Sequence, residues 1–248
     1  MNNAFYLSFF AGLSTILGAM ILFIRYKDEK LLIGKCLSFA SGVMISVSVL
    51  DLIPEGFKEL CNIFCVLPAI IIASIFIVIG FIVSSISNKI ISTKDYMKEN
   101  VLYKTGVFSM VAIMLHNIPE GIATFLTATT DLKLGISLAI AVAMHNIPEG
   151  ISISIPIYYS TNSKIKSLIY TFIAGISEFF GAIIAYFLLK DVNIDLFLIF
   201  LYFIIGGIMI SLAVEELIPT ARKYINMFLI GVWFLIGFIF MAIIKTVF

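Results

Sequence analysis

The chain has 248 residues, 61% of them hydrophobic and 12% charged, with a mean hydropathy of +1.13 and a formal net charge of +1 at pH 7. An ordinary soluble domain carries about 25% charged residues, so this composition excludes one and places the chain in lipid. The near-neutral balance, without a long run of either sign, gives no basic surface for nucleic acid and no charged tail, leaving ion or small-molecule chemistry.

A crossing needs about 20 apolar residues. With charged residues as boundaries, eight spans are predicted near 4–24, 31–54, 64–87, 105–127, 134–157, 166–189, 196–219 and 224–245. The expected fold is therefore all-α, one polytopic membrane domain over 1–248, with no room for a separate soluble domain. The first span has no basic segment before it and no small-residue cleavage site after it, so it is expected to stay in the membrane rather than be removed. Cys36, Cys61 and Cys65 lack the neighbouring His or Cys of a metal site and read as small apolar side chains, Cys61 and Cys65 being a helical turn apart. Arg25, Lys27, Lys30, Lys35, Lys89, Lys94, Lys98, Lys104, Lys164, Lys166, Arg222 and Lys223 fall on one side of the spans, against Lys58, Lys133, Lys190 and Lys245 on the other. The positive-inside rule then puts both termini outside the cytoplasm.

Span 2 and span 7 carry the same text. Gly42-Val43-Met44-Ile45-Ser46 through Asp51-Leu52-Ile53-Pro54 matches Gly207-Ile208-Met209-Ile210-Ser211 through Glu216-Leu217-Ile218-Pro219 at an offset of 165, Asp51 answering Glu216. One span runs outward and the other inward, so this is an inverted repeat of the kind found in transporters, in a three plus two plus three arrangement. Asp51 and Glu55 mark the outer end of span 2, and Glu215 and Glu216 the inner end of span 7, an acidic pair for each mouth of a pathway. The bland alternative for both pairs is solvation at a helix end.

Spans 4 and 5 form the central pair. His116-Asn117-Ile118-Pro119-Glu120-Gly121 recurs as His145-Asn146-Ile147-Pro148-Glu149-Gly150, 29 residues later, and contains both histidines of the chain. In a helix the His at i and the Glu at i+4 share a face, so each copy aims imidazole, amide and carboxylate at one region. The proline frees the carbonyl of Leu115 or Met144 and is expected to bend the helix beside the cluster. Glu178 of span 6 falls at the same depth. Three midplane carboxylates without Lys or Arg repel one another unless protonated or bridged by a cation. A single His-Asn pair reads equally well as an interhelical hydrogen bond; two copies with Glu178 do not. Imidazole with oxygen ligands suits zinc, ferrous iron, manganese or cadmium. His116, His145, Glu120 and Glu149 make one site, and Asn117, Asn146, the same glutamates and Glu178 a second, moderate enough in affinity for an ion to leave.

These motifs, with Ile176-Ser177-Glu178 and Glu215-Glu216-Leu217-Ile218-Pro219-Thr220, resemble the ZIP family of zinc and iron transporters, in particular its bacterial broad-specificity branch. The resemblance covers all eight spans. It implies import of Zn2+, with Fe2+, Mn2+ and Cd2+ as further cargo, into the cytoplasm through a two-metal site. The implied ligands are His116, Asn117, Glu120, His145, Asn146, Glu149 and Glu178. It also implies Met44 near the site (core packing being the plainer reading), Asp51 or Glu55 near the entrance, a cell-membrane location, a homodimer, and neither a cofactor nor an enzymatic activity. Two departures stand out: Phe179 follows Glu178 where the family usually has Pro, and 88–104 lacks the histidine cluster of many relatives. A metalloprotease is disfavoured by the missing His-Glu-x-x-His array, and a haem carrier held by His116 and His145 by the surrounding glutamates.

Overall fold

The computed structural model describes residues 2–24, 26–92, 100–188 and 194–247. Its eight long apolar helices are α1 (Asn2–Phe23), α2 (Glu29–Cys61), α3 (Val66–Ser92), α4 (Val101–Thr130), α5 (Leu132–Thr161), α6 (Lys164–Phe187), α7 (Leu196–Ala221) and α8 (Met227–Val247). Among the described residues there is no strand. Arg25, Lys94, Lys98 and Lys190, used above to orient the chain, lie outside the described residues.

Polar caps fix the helix ends where the apolar pattern does not. The Asp28 carboxylate accepts the amide of Leu31, starting α2, and the Asn100 side chain accepts that of Tyr103, starting α4. Asp131 alone separates α4 from α5 and accepts the amides of Lys133 and Leu134, satisfying donors that a helix start leaves open. A join this short forces α4 and α5 antiparallel. Pro119 and Pro148 both sit inside continuous α-helix.

Two groups of helices result. α1, α4, α5 and α6 pack on one another, while α2 packs on α8 and α7 on α3. The packing is symmetric under exchange of α1 with α6, α2 with α7, α3 with α8 and α4 with α5: α4 lies against α6 as α5 lies against α1, and α3 against α7 as α8 against α2. Glycine allows the closest of these approaches. A methyl group at Gly121 would strike the carbonyl of Glu178, and one at Gly150 the carbonyl of Thr15. The same relation joins Gly42 to Phe234 and Gly207 to Ile77. Small residues let backbones touch in lipid, where packing rather than water exclusion holds helices together.

The sequence ended spans 2 and 7 at Pro54 and Pro219, but both helices continue, α2 as far as Cys61. Each meets its proline through a π-helical turn, Val47–Leu52 in α2 and Leu212–Leu217 in α7. The amide of Ile53 donates to the carbonyl of Ser48, and that of Ile218 to Ala213, one residue further back than in an α-helix. Pro54 has no amide for the carbonyl of Leu50; the Lys245 ammonium takes that carbonyl instead, together with the Asp51 carboxylate at 2.9 Å. Cys65 lies in the exposed turn after α2, not a helical turn along from Cys61 as the spacing implied.

Candidate metal centre

The seven residues singled out in spans 4, 5 and 6 are all buried. α4 and α5 supply both histidines, their rings tilted with centroids 6.1 Å apart. Glu120 Oε1 lies between them, 3.1 Å from His116 Nε2 and 2.8 Å from His145 Nε2. Glu149 reaches across to His116, with Oε1 3.4 Å from the same Nε2. Nitrogen and oxygen atoms of His116, His145 and Glu149 lie within 4.8 Å of one another, a span one metal ion can fill.

The asparagines are oriented by their amide nitrogens. Asn117 donates through Nδ2 to the carbonyl of Ala174 at 3.1 Å; Asn146 donates to the carbonyl of Ala11 at 3.0 Å and to Glu178 Oε2 at 2.9 Å. With the donors engaged, each amide has an acceptor left over. Asn117 Oδ1, Asn146 Oδ1, Glu120 Oε2, Glu178 Oε1, both oxygens of Glu149 and Nδ1 of both histidines are buried without a hydrogen-bond partner. His116 Nε2 belongs to the same set, because its approach to the carboxylates lacks hydrogen-bonding angles. Among the described residues, no Lys or Arg lies within 4 Å of these carboxylates, and the side chains that approach them as ion-pair partners are the two imidazoles. An unsatisfied buried polar group costs about 1–3 kcal/mol, and more when charged. A cluster of converging acceptors with few donors fits a divalent cation, which answers several lone pairs at once.

A cavity of about 160 Å³ leads from this centre to one end of the bundle. Glu120, His145 and Thr124 line its floor, with Thr127, Asp51, Glu55 and Tyr202 above them. Asp51 is held by Lys245 at 2.9 Å, and Glu55 lies 3.5 Å from Lys58. Toward the opposite end, beside Thr105 and so about 33 Å along α4 from Thr127, Glu216 is buried and fully engaged. It accepts from Thr105 Oγ1 at 2.7 Å and Asn88 Nδ2 at 3.1 Å, and pairs with the Lys104 ammonium at 3.2 Å. Glu215 stays exposed and accepts from Ser85 and Ser211, each at 2.8 Å. A second cavity at that end, about 330 Å³ and lined by Lys104, Glu215, Glu216 and Lys223, includes none of the seven central residues. Met44 is wholly buried in the main apolar core.

Sequence reasoning missed Lys104, Asn88, Thr105 and Lys245 as partners of the mouth acids, because nothing local links residues over 100 positions apart. It also missed a second repeat. Ala11-Gly12-Leu13-Ser14-Thr15 followed by Gly18-Ala19 recurs as Ala174-Gly175-Ile176-Ser177-Glu178 followed by Gly181-Ala182, an offset of 163. That alignment was legible in the letters and sets Thr15 opposite Glu178.

A family profile described as "ZIP Zinc transporter" matches residues 91–245. The chain is 38% identical over 254 residues to a zinc transporter ZupT of Clostridium perfringens, covering 90% of this chain and 89% of the relative. Against the zinc transporter ZupT of Streptococcus mutans the identity is 34%, over 90% and 88% of the two chains. The protein of the same name in Nitratidesulfovibrio vulgaris is 32% identical, over 97% of this chain and 96% of its own.

Proposed function

Because the chain belongs to the ZIP zinc transporter family, and is therefore a multi-pass membrane transporter of divalent metal rather than an enzyme, we propose that it imports zinc into the cytoplasm. Ferrous iron, manganese and cadmium are further cargo on this reading, and the route runs through a binuclear centre. The whole chain acts as one transport unit in the plasma membrane, with both termini outside. The observation that carries the proposal is the unpaired acceptor set of His116, Asn117, Glu120, His145, Asn146, Glu149 and Glu178. Its imidazoles favour zinc, and its oxygens leave room for the harder ions.

Metal enters past Asp51 and Glu55, follows the cavity to Glu120 and His145, and exchanges water for the buried ligands. His116 and His145 hold one ion; Asn117, Asn146 and Glu178 hold a second; Glu120 and Glu149 bridge. Two adjacent cations repel, so each lowers the other's affinity and release stays fast. On the cytoplasmic side the route is closed by Glu216, tied to Lys104, Thr105 and Asn88, and this tie must open for the ion to leave. The mirrored packing of the helices and the matching π-helical turns support the three plus two plus three inverted repeat, which supplies two related arrangements for alternating access.

Uptake of radioactive zinc into proteoliposomes tests the centre. Glu149→Gln keeps the side-chain volume and removes the bridging charge. It is expected to cut uptake on the order of a hundredfold, the equivalent of about 3 kcal/mol of charge-assisted binding. Uptake within twofold of the unaltered protein would refute a bridging role for Glu149.

A further inference from the structure

The internal symmetry puts Thr15 of α1 where α6 has Glu178, and the contacts follow residue by residue. Asn146 donates to the carbonyl of Ala11 and Asn117 to that of Ala174. Ser14 donates to Ala11 at 2.6 Å and Ser177 to Ala174 at 2.6 Å. Gly150 abuts the backbone of Thr15 and Gly121 that of Glu178. The two positions are equivalent in sequence and packing, yet one bears a carboxylate that meets Asn146 and the other a hydroxyl packed beside Gly175. The Thr15 hydroxyl is wholly buried and has no hydrogen-bond partner. Helical threonines ordinarily bond the carbonyl four residues back, but that of Ala11 already accepts from Ser14 and Asn146, leaving little lone-pair capacity.

We propose that Thr15 is an eighth residue of the metal centre, contributing a neutral oxygen on the Asn117 side, and that the missing carboxylate there sets how tightly the second ion is held. Asn146 donates to Glu178; by the same symmetry the position that answers Asn117 is Thr15, a hydroxyl in place of a carboxylate. Three carboxylates, Glu120, Glu149 and Glu178, fall one charge short of neutralising two divalent ions. The doubly loaded state therefore carries excess positive charge in a low-dielectric interior, which drives one ion out. A glutamate at position 15 would complete the symmetry, balance the charge and trap both ions.

This inference rests on the metal-transport reading above, and the experiment separates the two. Zinc stoichiometry and affinity are measured on the full chain in detergent, and initial uptake rates in proteoliposomes, for the unaltered protein, Thr15→Val and Thr15→Glu. Thr15→Val keeps the β-branched shape and exchanges the hydroxyl for a methyl group, which cannot ligate a metal. It should weaken the second zinc about five- to tenfold, the effect of losing one polar contact, and raise KM with kcat little changed. Thr15→Glu should bind two zinc ions tightly, lower KM and cut kcat at least about tenfold as release becomes limiting. Thr15→Val alone decides if Thr15→Glu does not fold. Zinc affinity, stoichiometry and KM unchanged in Thr15→Val, with the unaltered protein transporting normally, would overturn the role of Thr15 and leave the metal centre standing. Failure of the unaltered protein to bind or move zinc would instead remove the transport reading, and this inference with it.

Discussion

His116 carries the selectivity question at the scale of single residues. Neither of its ring nitrogens nor either oxygen of Glu149 has a hydrogen-bond partner, and a neutral imidazole offers a metal one nitrogen lone pair, so metal identity depends on which lone pairs are offered. Removing one imidazole leaves an oxygen-rich site that water can complete. His116→Ala is expected to retain roughly a tenth of zinc uptake, the loss of about 1.4 kcal/mol, while manganese uptake changes less than twofold. Competition assays with the two ions check this; an unchanged zinc-to-manganese preference would speak against His116 as a ligand. The burial of the seven central residues in one cluster was legible because the His-Asn-Ile-Pro-Glu motif is doubled and because a charge in lipid is costly enough to need a reason. Thr15 was not singled out, since a hydroxyl in a membrane helix is commonplace until its partners are counted. Glu216 was seen as a mouth acid, but its ties to Asn88, Thr105 and Lys104 are tertiary.

Close backbone approach fixes the centre at the scale of elements. Glu178 is held where α6 crosses α4 at Gly121, and Glu149 beside the crossing of α5 with α1 at Gly150. A methyl group at Gly121 would push against the carbonyl of Glu178 itself. Gly121→Ala should therefore cost about 1–3 kcal/mol of stability and weaken zinc binding by moving a ligand. At Gly231 of α8 an added methyl group would meet nothing within 4 Å, so Gly231→Ala should hold or raise stability by up to about 1 kcal/mol. Thermal unfolding in detergent, with and without zinc, compares the pair. Equal melting temperatures for both variants would show that the α4–α6 crossing is not close enough to matter. Eight helices were readable from apolar stretches bounded by charged residues. The π-helical turns were not, because a shift from four-back to five-back hydrogen bonding leaves no mark in residue type beyond Pro54 and Pro219. Helix ends were missed where polar residues such as Glu55 and Glu59 continue a helix beyond the apolar stretch that the count detects.

For the whole molecule, a repeated packing pattern gives two similar halves whose ends differ. Mirrored crossings build two similar halves, and small departures from the mirror distinguish one mouth from the other. Asp51 is paired with Lys245 at the rim of a cavity that reaches the centre. Its counterpart Glu216 is sealed among Lys104, Thr105 and Asn88. The span 2 and span 7 text exposed the repeat, whereas the difference between its two ends came from residues on α3, α4 and α8 that only folding brings near. All of this turns on divalent ions occupying the space between His116, Asn117, Glu120, His145, Asn146, Glu149 and Glu178. The direct measurement is a crystal structure of the zinc-soaked protein with anomalous differences collected at the zinc edge. Two peaks about 3.5–4 Å apart, bridged by Glu120 and Glu149, are the expected result; no peak among these seven residues, with zinc bound elsewhere in the bundle, would contradict it.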